Sequence, residues 1–379
     1  MADVTRFLAD LVAFKTISKT NNLSMVEYLE HHHKALGLDC VRIMSPDDPP
    51  RANLLCRLGP DREGGLMLSG HMDVVPVSGQ QWHSDPFELA HHEHRLIGRG
   101  ACDMKGFIAA VCHALLGLNP HTLKKPLFLL WTYDEEVGCT GSGIAVEQLH
   151  HHVKHLPQAA LIGEPTDFSI MRMHAGHVTV KITCTGKGAH SSDPERGISA
   201  IKAAHDALRG IFALEQELKR EEVLKEYFRL PYATMNVGEI HGGSAVNIVP
   251  DQAVITLGFR PLPTMSVDVI LERLKDAINK NQHDERAKVV VSTEKNTPSM
   301  ITKEGSELER ILASMAQPGS VSAQFATDGG NLSRVGIPCL IFGPGSIDVA
   351  HQANEWIDDR DVKRASDYVS SIIERWQAL

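Results

Sequence analysis

The chain has 379 residues, 42% of them hydrophobic and 22% charged, with a formal net charge of −9. That length accommodates two domains with separate cores, the composition is that of a soluble globular protein, and the lack of any basic cluster argues against a nucleic-acid partner. No run of 18 apolar residues occurs, so no membrane span is expected.

The N-terminal stretch MADVTRFLADLVAFKTIS, with Asp3 and Asp10, reads as an amphipathic helix. It has no basic segment followed by an apolar one, and so no signal peptide is expected. Histidine runs at 31–33, 91–94 and 151–155 sit among charged, turn-like neighbours and read as solvated surface. Buried strands are predicted at 52–58, 65–75, 126–133 and 159–164, with a helix over 103–118. The segment 177–186 then alternates, with Val178, Val180, Ile182 and Cys184 on one face. A helix is predicted over 197–228 with Ile198, Ile201, Leu208 and Ile211 as its apolar stripe, and a second alternating strand at 253–260. A strand at 288–292 closes this part; a further buried strand at 338–345 and a closing helix from Asp359 return to the first pattern. Strand–helix alternation predicts an α/β fold with a mixed sheet sandwiched by helices over 1–176 and 294–379. The region 177–293 reads as an inserted, smaller α+β domain whose sheet is antiparallel and open on one face. The seven cysteines are scattered without a C-x-x-C spacing, which suits reduced thiols in the cytoplasm.

The polar residues at the ends of the apolar strands form one pattern. His71 and Asp73 lie towards the end of the second strand, Asp103 opens the helix, Glu135 and Glu136 follow the 126–133 strand, Glu164 ends the next, and His351 follows the last. Taken singly, each has an ordinary reading as a loop histidine, a helix cap or a solvated acid. Taken together, they put imidazoles and surplus carboxylates at the sheet edge where open α/β folds bind ligands. Such a surplus needs cations, and oxygen and imidazole donors without thiolate suit two divalent ions, zinc first and cobalt as an alternative. His71 and Asp73 share a strand face, so Asp73 is placed to orient the imidazole. Glu135 and Glu136 point opposite ways in extended chain, leaving one to bind metal and one to act as a base. Asp134 is read as structural.

The motifs SGHMDVVP, GRGACDMKG, DEEVGCTGS, IGEPT and GPGSIDVAHQANE resemble, in order and over nearly the whole chain, the dinuclear-zinc deacylases and exopeptidases of the aminoacylase and carboxypeptidase G type. The resemblance implies a zinc-dependent exopeptidase-like catalytic domain with an inserted dimerisation or lid domain. It implies His71 and Glu164 as ligands of one zinc, Glu136 and His351 of the other, and Asp103 as the bridge. Glu135 becomes the general base, Asp73 the orienter of His71, and the peptide bond after Asp103 is expected to be cis. The segments GKGAHSSDPERGISAI, PYATMNVGEIHGGSAVNIVP and FRPLPTM look most like the N-acetylornithine deacetylase branch. They imply His190 as the oxyanion donor, and Arg260, Asn247 and Ser346 as substrate contacts. The expected activity is hydrolysis of an N-acyl amino acid, N2-acetyl-L-ornithine first, by a homodimer. Desuccinylation of succinyl-diaminopimelate, deacetylation of acetylcitrulline and a broader aminoacylase or dipeptidase activity are the alternatives, with a non-catalytic metal-binding relative the reading from another class.

Overall fold

The computed structural model describes residues 3–323 and 325–379. The chain separates into two compact units: one runs to Met173 and resumes over Met300–Ala323 and Thr327–Leu379, and the other comprises His174–Ser299.

The first unit is built on a six-stranded mixed sheet. In spatial order its strands are Asp39–Met44, Ala52–Leu58, Leu127–Thr132, Leu66–His71, Ala159–Ile162 and Cys339–Ile341. The last four run parallel and the first two add an antiparallel edge. Every residue of the Leu66–His71, Leu127–Thr132 and Ala159–Ile162 strands is buried. That is why they read as unbroken apolar runs: helices cover both faces of such strands. Helices Val4–Val12, Leu23–Ala35, Lys105–Leu115 and Asp359–Ala378 share one core with Leu54, Leu68, Leu129 and Trp131. The Thr140–His152 helix is tied to Gly329–Arg334 by the Asn331 amide, which donates to the Cys139 carbonyl at 3.0 Å and to Ser142 Oγ at 2.9 Å.

Two expectations fail in this unit. Cys40 and Cys56 lie directly opposite each other on antiparallel strands and form a disulfide, so the thiols are not all reduced; Cys102, Cys112, Cys139, Cys184 and Cys339 are free and buried. A cross-strand register cannot be read from cysteine spacing. His33, expected on the surface, is fully buried and its Nε2 accepts the Trp131 indole N–H at 2.8 Å. His91–His94, by contrast, are exposed.

The second unit is a four-stranded antiparallel sheet in the order Thr234–Gly242, Gln252–Arg260, His177–Thr185, Lys288–Thr297. Val178, Val180, Ile182 and Cys184 are buried, together with Ala253, Ile255, Leu257 and Phe259, beneath helices Ala200–Leu218 and Val267–Asn281. The long helix ends at Leu218 rather than 228, and its stripe is shifted: Ala200, Ala203, Ala204, Ala207, Ile211, Leu214 and Leu218 are buried while Ile201 is 48% exposed. Small residues let the two helices approach, and a Cβ on Gly210 would come 2.5 Å from the Ala277 carbonyl. Among the described residues no helix is long and apolar enough to cross a membrane.

His33 gives a stability prediction. Burial pulls its imidazole down from 6.5 to about 3, with the neighbouring His32 adding to it. Its folded value lies below its unfolded one, so its contribution is complete above about pH 6.5 and is lost as pH falls towards 3. His33→Gln should therefore flatten the loss of stability between pH 6 and 4, measured by urea unfolding at each pH.

Candidate metal centre

The four parallel strands all end at one edge, and the acids and imidazoles follow from those ends. His71 closes its strand, Glu135 and Glu136 lie just beyond Thr132, and Glu164 lies just beyond Ile162. Gly163, immediately before Glu164, has no room for a side chain, since a Cβ there would sit 2.0 Å from the Phe107 ring. Asp103 belongs to the turn before the Lys105–Leu115 helix, whose N-cap position is Met104, so its carboxylate is not used as a cap. The Asp103–Met104 peptide is cis, as the resemblance implied.

These side chains converge. His71 Nε2 lies 2.9 Å from Asp103 Oδ1 and 3.8 Å from Glu164 Oε1. His351 Nε2 lies 3.2 Å from Asp103 Oδ2 and 2.9 Å from Glu136 Oε2. Asp103 thus stands between two imidazoles, each of which also faces a glutamate. Glu135 points elsewhere, into a group with His71 and Glu164 whose ligand-type atoms lie within 4.8 Å of one another. Its Oε1 accepts the Cys139 thiol at 3.3 Å. Asp73 takes a different part from the one its spacing suggested. His71 Nδ1–H donates to the Asp73 backbone carbonyl at 2.9 Å, while the carboxylate is 3.8 Å away. The Asp73 carboxylate accepts Ser18 Oγ at 2.7 Å and the backbone N–H groups of Glu135 at 3.0 Å and Glu136 at 3.3 Å. It therefore holds the acidic pair by its main chain. Asp134 is buried and structural: it accepts the Lys19 N–H at 2.6 Å and lies 3.3 Å from Arg51 Nε.

The donor set fits divalent ions. The Nδ1 proton of His71 is committed to a carbonyl, so Nε2 presents a lone pair to two carboxylates. Lone pair against carboxylate is repulsive unless a proton or a metal ion lies between them. His71 is 1% exposed, with Asp103 and Glu164 hardly more, so water does not supply the compensation.

The protonation states show the same deficit of positive charge. Burial raises Glu135 well above the usual carboxylate range, opposed by His71 and reinforced by Asp328 and Glu136. Burial and the Asp103 charge likewise raise Glu164. Glu136 is pushed up to about 7, by burial and then by Asp103, against its bond to His351. His351 is pushed up to about 10 by its bonds to Asp103 and Glu136. Burial acts to lower His71, but Asp103, Glu164 and Glu135 hold it well above 6.5. The same two imidazoles hold Asp103 low in spite of its burial.

The remaining candidates belong to the second unit. His190 pairs opposite Ile248 across two short strands, and the Ser191 N–H donates to the Asn247 carbonyl at 3.0 Å, so His190 and Asn247 are neighbours. His190 Nδ1 accepts the Ser192 N–H at 3.2 Å, which leaves the proton of a neutral ring on the exposed Nε2. Arg260 ends the Gln252–Arg260 strand, half-buried. Ser346 lies in the first unit, where it caps a short turn by accepting the Asp348 N–H at 3.4 Å and receives the Cys102 thiol on its carbonyl at 3.4 Å.

Residues 67–375 match the family model described as peptidase family M20/M25/M40. This chain belongs to that family. As an M20 hydrolase it is 33% identical over 373 residues to an acetylornithine deacetylase of Klebsiella pneumoniae, covering 97% of this chain and 96% of the relative. It is 32% identical over 373 residues, with the same coverage, to an acetylornithine deacetylase of Pectobacterium carotovorum. In fold this M20 chain is similar to a tripeptidase from Staphylococcus aureus (TM-score 0.76, 21% identity, covering 99% of this chain and 98% of the other). It is also similar to a dinuclear metal-binding M20 peptidase from Bacillus subtilis (TM-score 0.69, 14% identity, covering 99% of each chain).

Four residues at the centre went unread in the sequence: Ser18, Thr132, Cys139 and Asp328. Asp328 is buried beside Glu135 and Cys139 and accepts Thr132 Oγ1 at 2.5 Å. Its signal was an acid before a glycine pair, which local pattern does not separate from a turn.

In chelator-treated protein the raised groups of the site should set how the pH dependence departs from that of the metal-loaded protein. Glu136 takes its proton more tightly when folded, so its stabilisation is complete below about pH 4.5 and is lost as pH rises through 7; for His351 the loss continues from 6.5 to about 10. Buried bases elsewhere, His33 and Lys105 among them, gain stability over the same range. The effect is therefore read as a difference: metal-free protein should fall progressively further below zinc-loaded protein in thermal stability as pH rises from 5 to 9. Differential scanning calorimetry with and without zinc measures both.

Proposed function

We propose that the chain hydrolyses the N-acyl amide of an amino acid, with N2-acetyl-L-ornithine as substrate and acetate and ornithine as products. The observation that carries the reading is the divergence of the adjacent acids: Glu136 engages His351, while Glu135 is aimed at the His71–Glu164 side and touches no imidazole as closely. A scaffold that merely bound metal would have no use for a further acid held in this way. The two relatives covering nearly the whole chain support the acetylornithine assignment.

In this reading His71 and Glu164 hold one divalent ion, Glu136 and His351 the other, and Asp103 both, with zinc the first choice for such donors and cobalt an alternative. Bound there, the ions would polarise the acyl oxygen and bring the pKa of a water towards neutrality. The chain's own residues supply the rest. Glu135 accepts the proton of the attacking water and returns it to the leaving amine. Asp73, through the main chain of both glutamates, keeps that base at a fixed distance from the ligands. His190 offers its Nε2–H to the developing oxyanion. Arg260 offers a planar fork to the substrate α-carboxylate, with Asn247 and Ser346 as further contacts. We read the smaller unit as a dimerisation lid that brings its His190 and Asn247 to substrate held by a second copy. The setting is read as cytoplasmic, with the Cys40–Cys56 pair as the exception to an otherwise reduced set of thiols.

Glu135→Gln should keep both ions and lower kcat by ~10²–10⁴, the range of general acid–base catalysis. Glu136→Gln should instead lose one ion, as seen by elemental analysis. Loss of metal from the first and not the second would exchange the two roles. The substrate is tested by kcat/KM for N-acetylornithine, N-acetylcitrulline, N-acetylmethionine and N-succinyl-diaminopimelate, with N-acetylornithine expected highest. Arg260→Lys should raise KM at unchanged metal content and shrink the preference for N-acetylornithine over its carboxamide.

A further inference from the structure

Behind the ligands lies a buried ion pair that touches both loops flanking Asp103 and His351. Arg99 and Glu355 are each 1% exposed and meet at 2.7 Å. Glu355 Oε1 accepts two successive backbone N–H groups, those of Cys102 and Asp103, each at 3.0 Å. This clamps the peptide that carries the Asp103 side chain. Arg99 works on the other loop. It donates to the Gln352 carbonyl at 3.3 Å and to Gln80 Oε1 at 2.5 Å, and Gln80 Nε2 in turn donates to the His351 carbonyl at 2.7 Å. Trp82 completes the packing: its indole N–H donates to Gln80 Oε1 at 3.1 Å and its ring lies 5.1 Å from the Arg99 guanidinium carbon.

The His351 loop needs such a hold. His351 and Asn354 both adopt left-handed backbone, at φ of 64° and 59°, a region that non-glycine residues occupy only when their surroundings impose it. His351 is also the more exposed of the two imidazoles, its side chain 50% accessible against 1% for His71. His71 is held within its strand by its own Nδ1 bond to the Asp73 carbonyl. His351 has no comparable ring bond to the main chain among the described residues, so its position follows from the backbone that Arg99 and Gln80 fix.

We propose that the Arg99–Glu355 pair, extended by Gln80, is a positioning device that sets the spacing of Asp103 and His351 and so governs affinity for the ion they share with Glu136. This rests on the two-ion reading of the site. None of the three is among the proposed metal ligands or substrate contacts. Their effect passes through the main chain of two ligands, and outer partners of this kind change metal affinity by about 10–100-fold.

The test is stepwise titration of the metal-free, full-length protein with Zn2+ and with Co2+ against a chromophoric chelator. The ion weakened by Glu136→Gln marks the step of interest. In Glu355→Gln and in Gln80→Leu that step should weaken by about 10–100-fold while the other changes little, and the Co2+ absorption bands of the affected site should shift. Gln80→Leu leaves the buried ion pair in place and guards against misfolding of Glu355→Gln. The double variant Arg99→Met/Glu355→Gln should recover thermal stability relative to Arg99→Met, because no buried charge remains unpaired, yet keep the weakened step. Unchanged affinity at both steps in folded Gln80→Leu and Glu355→Gln would overturn this inference alone. Equal weakening of both steps in proportion to lost thermal stability would also overturn it, as a purely structural effect. Wild-type protein that takes up a single ion would overturn the two-ion reading and this inference with it.

Discussion

Mutual repulsion of buried carboxylates at the edge of the parallel sheet is the constraint on which the rest of the molecule depends. Asp103, Glu135, Glu136 and Glu164 are gathered around two imidazoles, the buried His71 and the half-exposed His351. Uncompensated buried charges cost several kcal/mol each even after relaxation. Without metal the cluster must hold protons, and the upward displacement of its glutamates and histidines expresses that. With cations present the same acids can all ionise, so the chemistry of the site and the stability of its surroundings are one problem.

The fold supplies what such a cluster requires. Four parallel strands, covered on both faces, deliver side chains from separate loops to one edge without moving the core beneath them. Rigidity comes from backbone contacts more than from ligand to ligand. Asp73 holds Glu135 and Glu136 by their N–H groups, and the Asp73 carbonyl sets the His71 tautomer. Bonds of this kind do not depend on whether the acids carry charge, so the arrangement survives changes of protonation or metal loading. The smaller unit obeys a different rule. Its sheet buries one face under two helices, and of the side chains of interest His190 lies on a two-residue strand, Arg260 ends a long one, and Asn247 sits in the turn just before Ile248–Val249.

Much of this was legible in the sequence because burial leaves a pattern. Fully buried parallel strands read as apolar runs, and the polar residues that end those runs, His71, Glu135, Glu136 and Glu164, stand out against them. Strict alternation at 177–186 marked a sheet with one covered face. What stayed hidden depended on long-range pairing or on burial of polar groups. The Thr234–Gly242 strand is mostly exposed, so it has no apolar stripe to read. The buried stripe of the Ala200–Leu218 helix is largely alanine; Ile211 lies in it and Ile198 and Leu208 pack against it, as their spacing suggests, while Ile201 faces solvent. His33 is buried because Trp131, 98 positions away, offers it a donor. The Cys40–Cys56 pair is set by strand register. Glu355 and Arg99 were visible inside two recognisable motifs, but their joint hold on Asp103 appears only once residues some 250 positions apart are brought together.

The central claim, that the carboxylate cluster is organised to hold two divalent ions about Asp103, is tested most directly by anomalous diffraction from crystals of zinc- or cobalt-loaded protein. Data collected on either side of the metal absorption edge should show two peaks, one beside His71 and Glu164 and one beside Glu136 and His351, with Asp103 between them. A single peak, or peaks away from Asp103 with its carboxylate still bonded only to the imidazoles, would contradict the account.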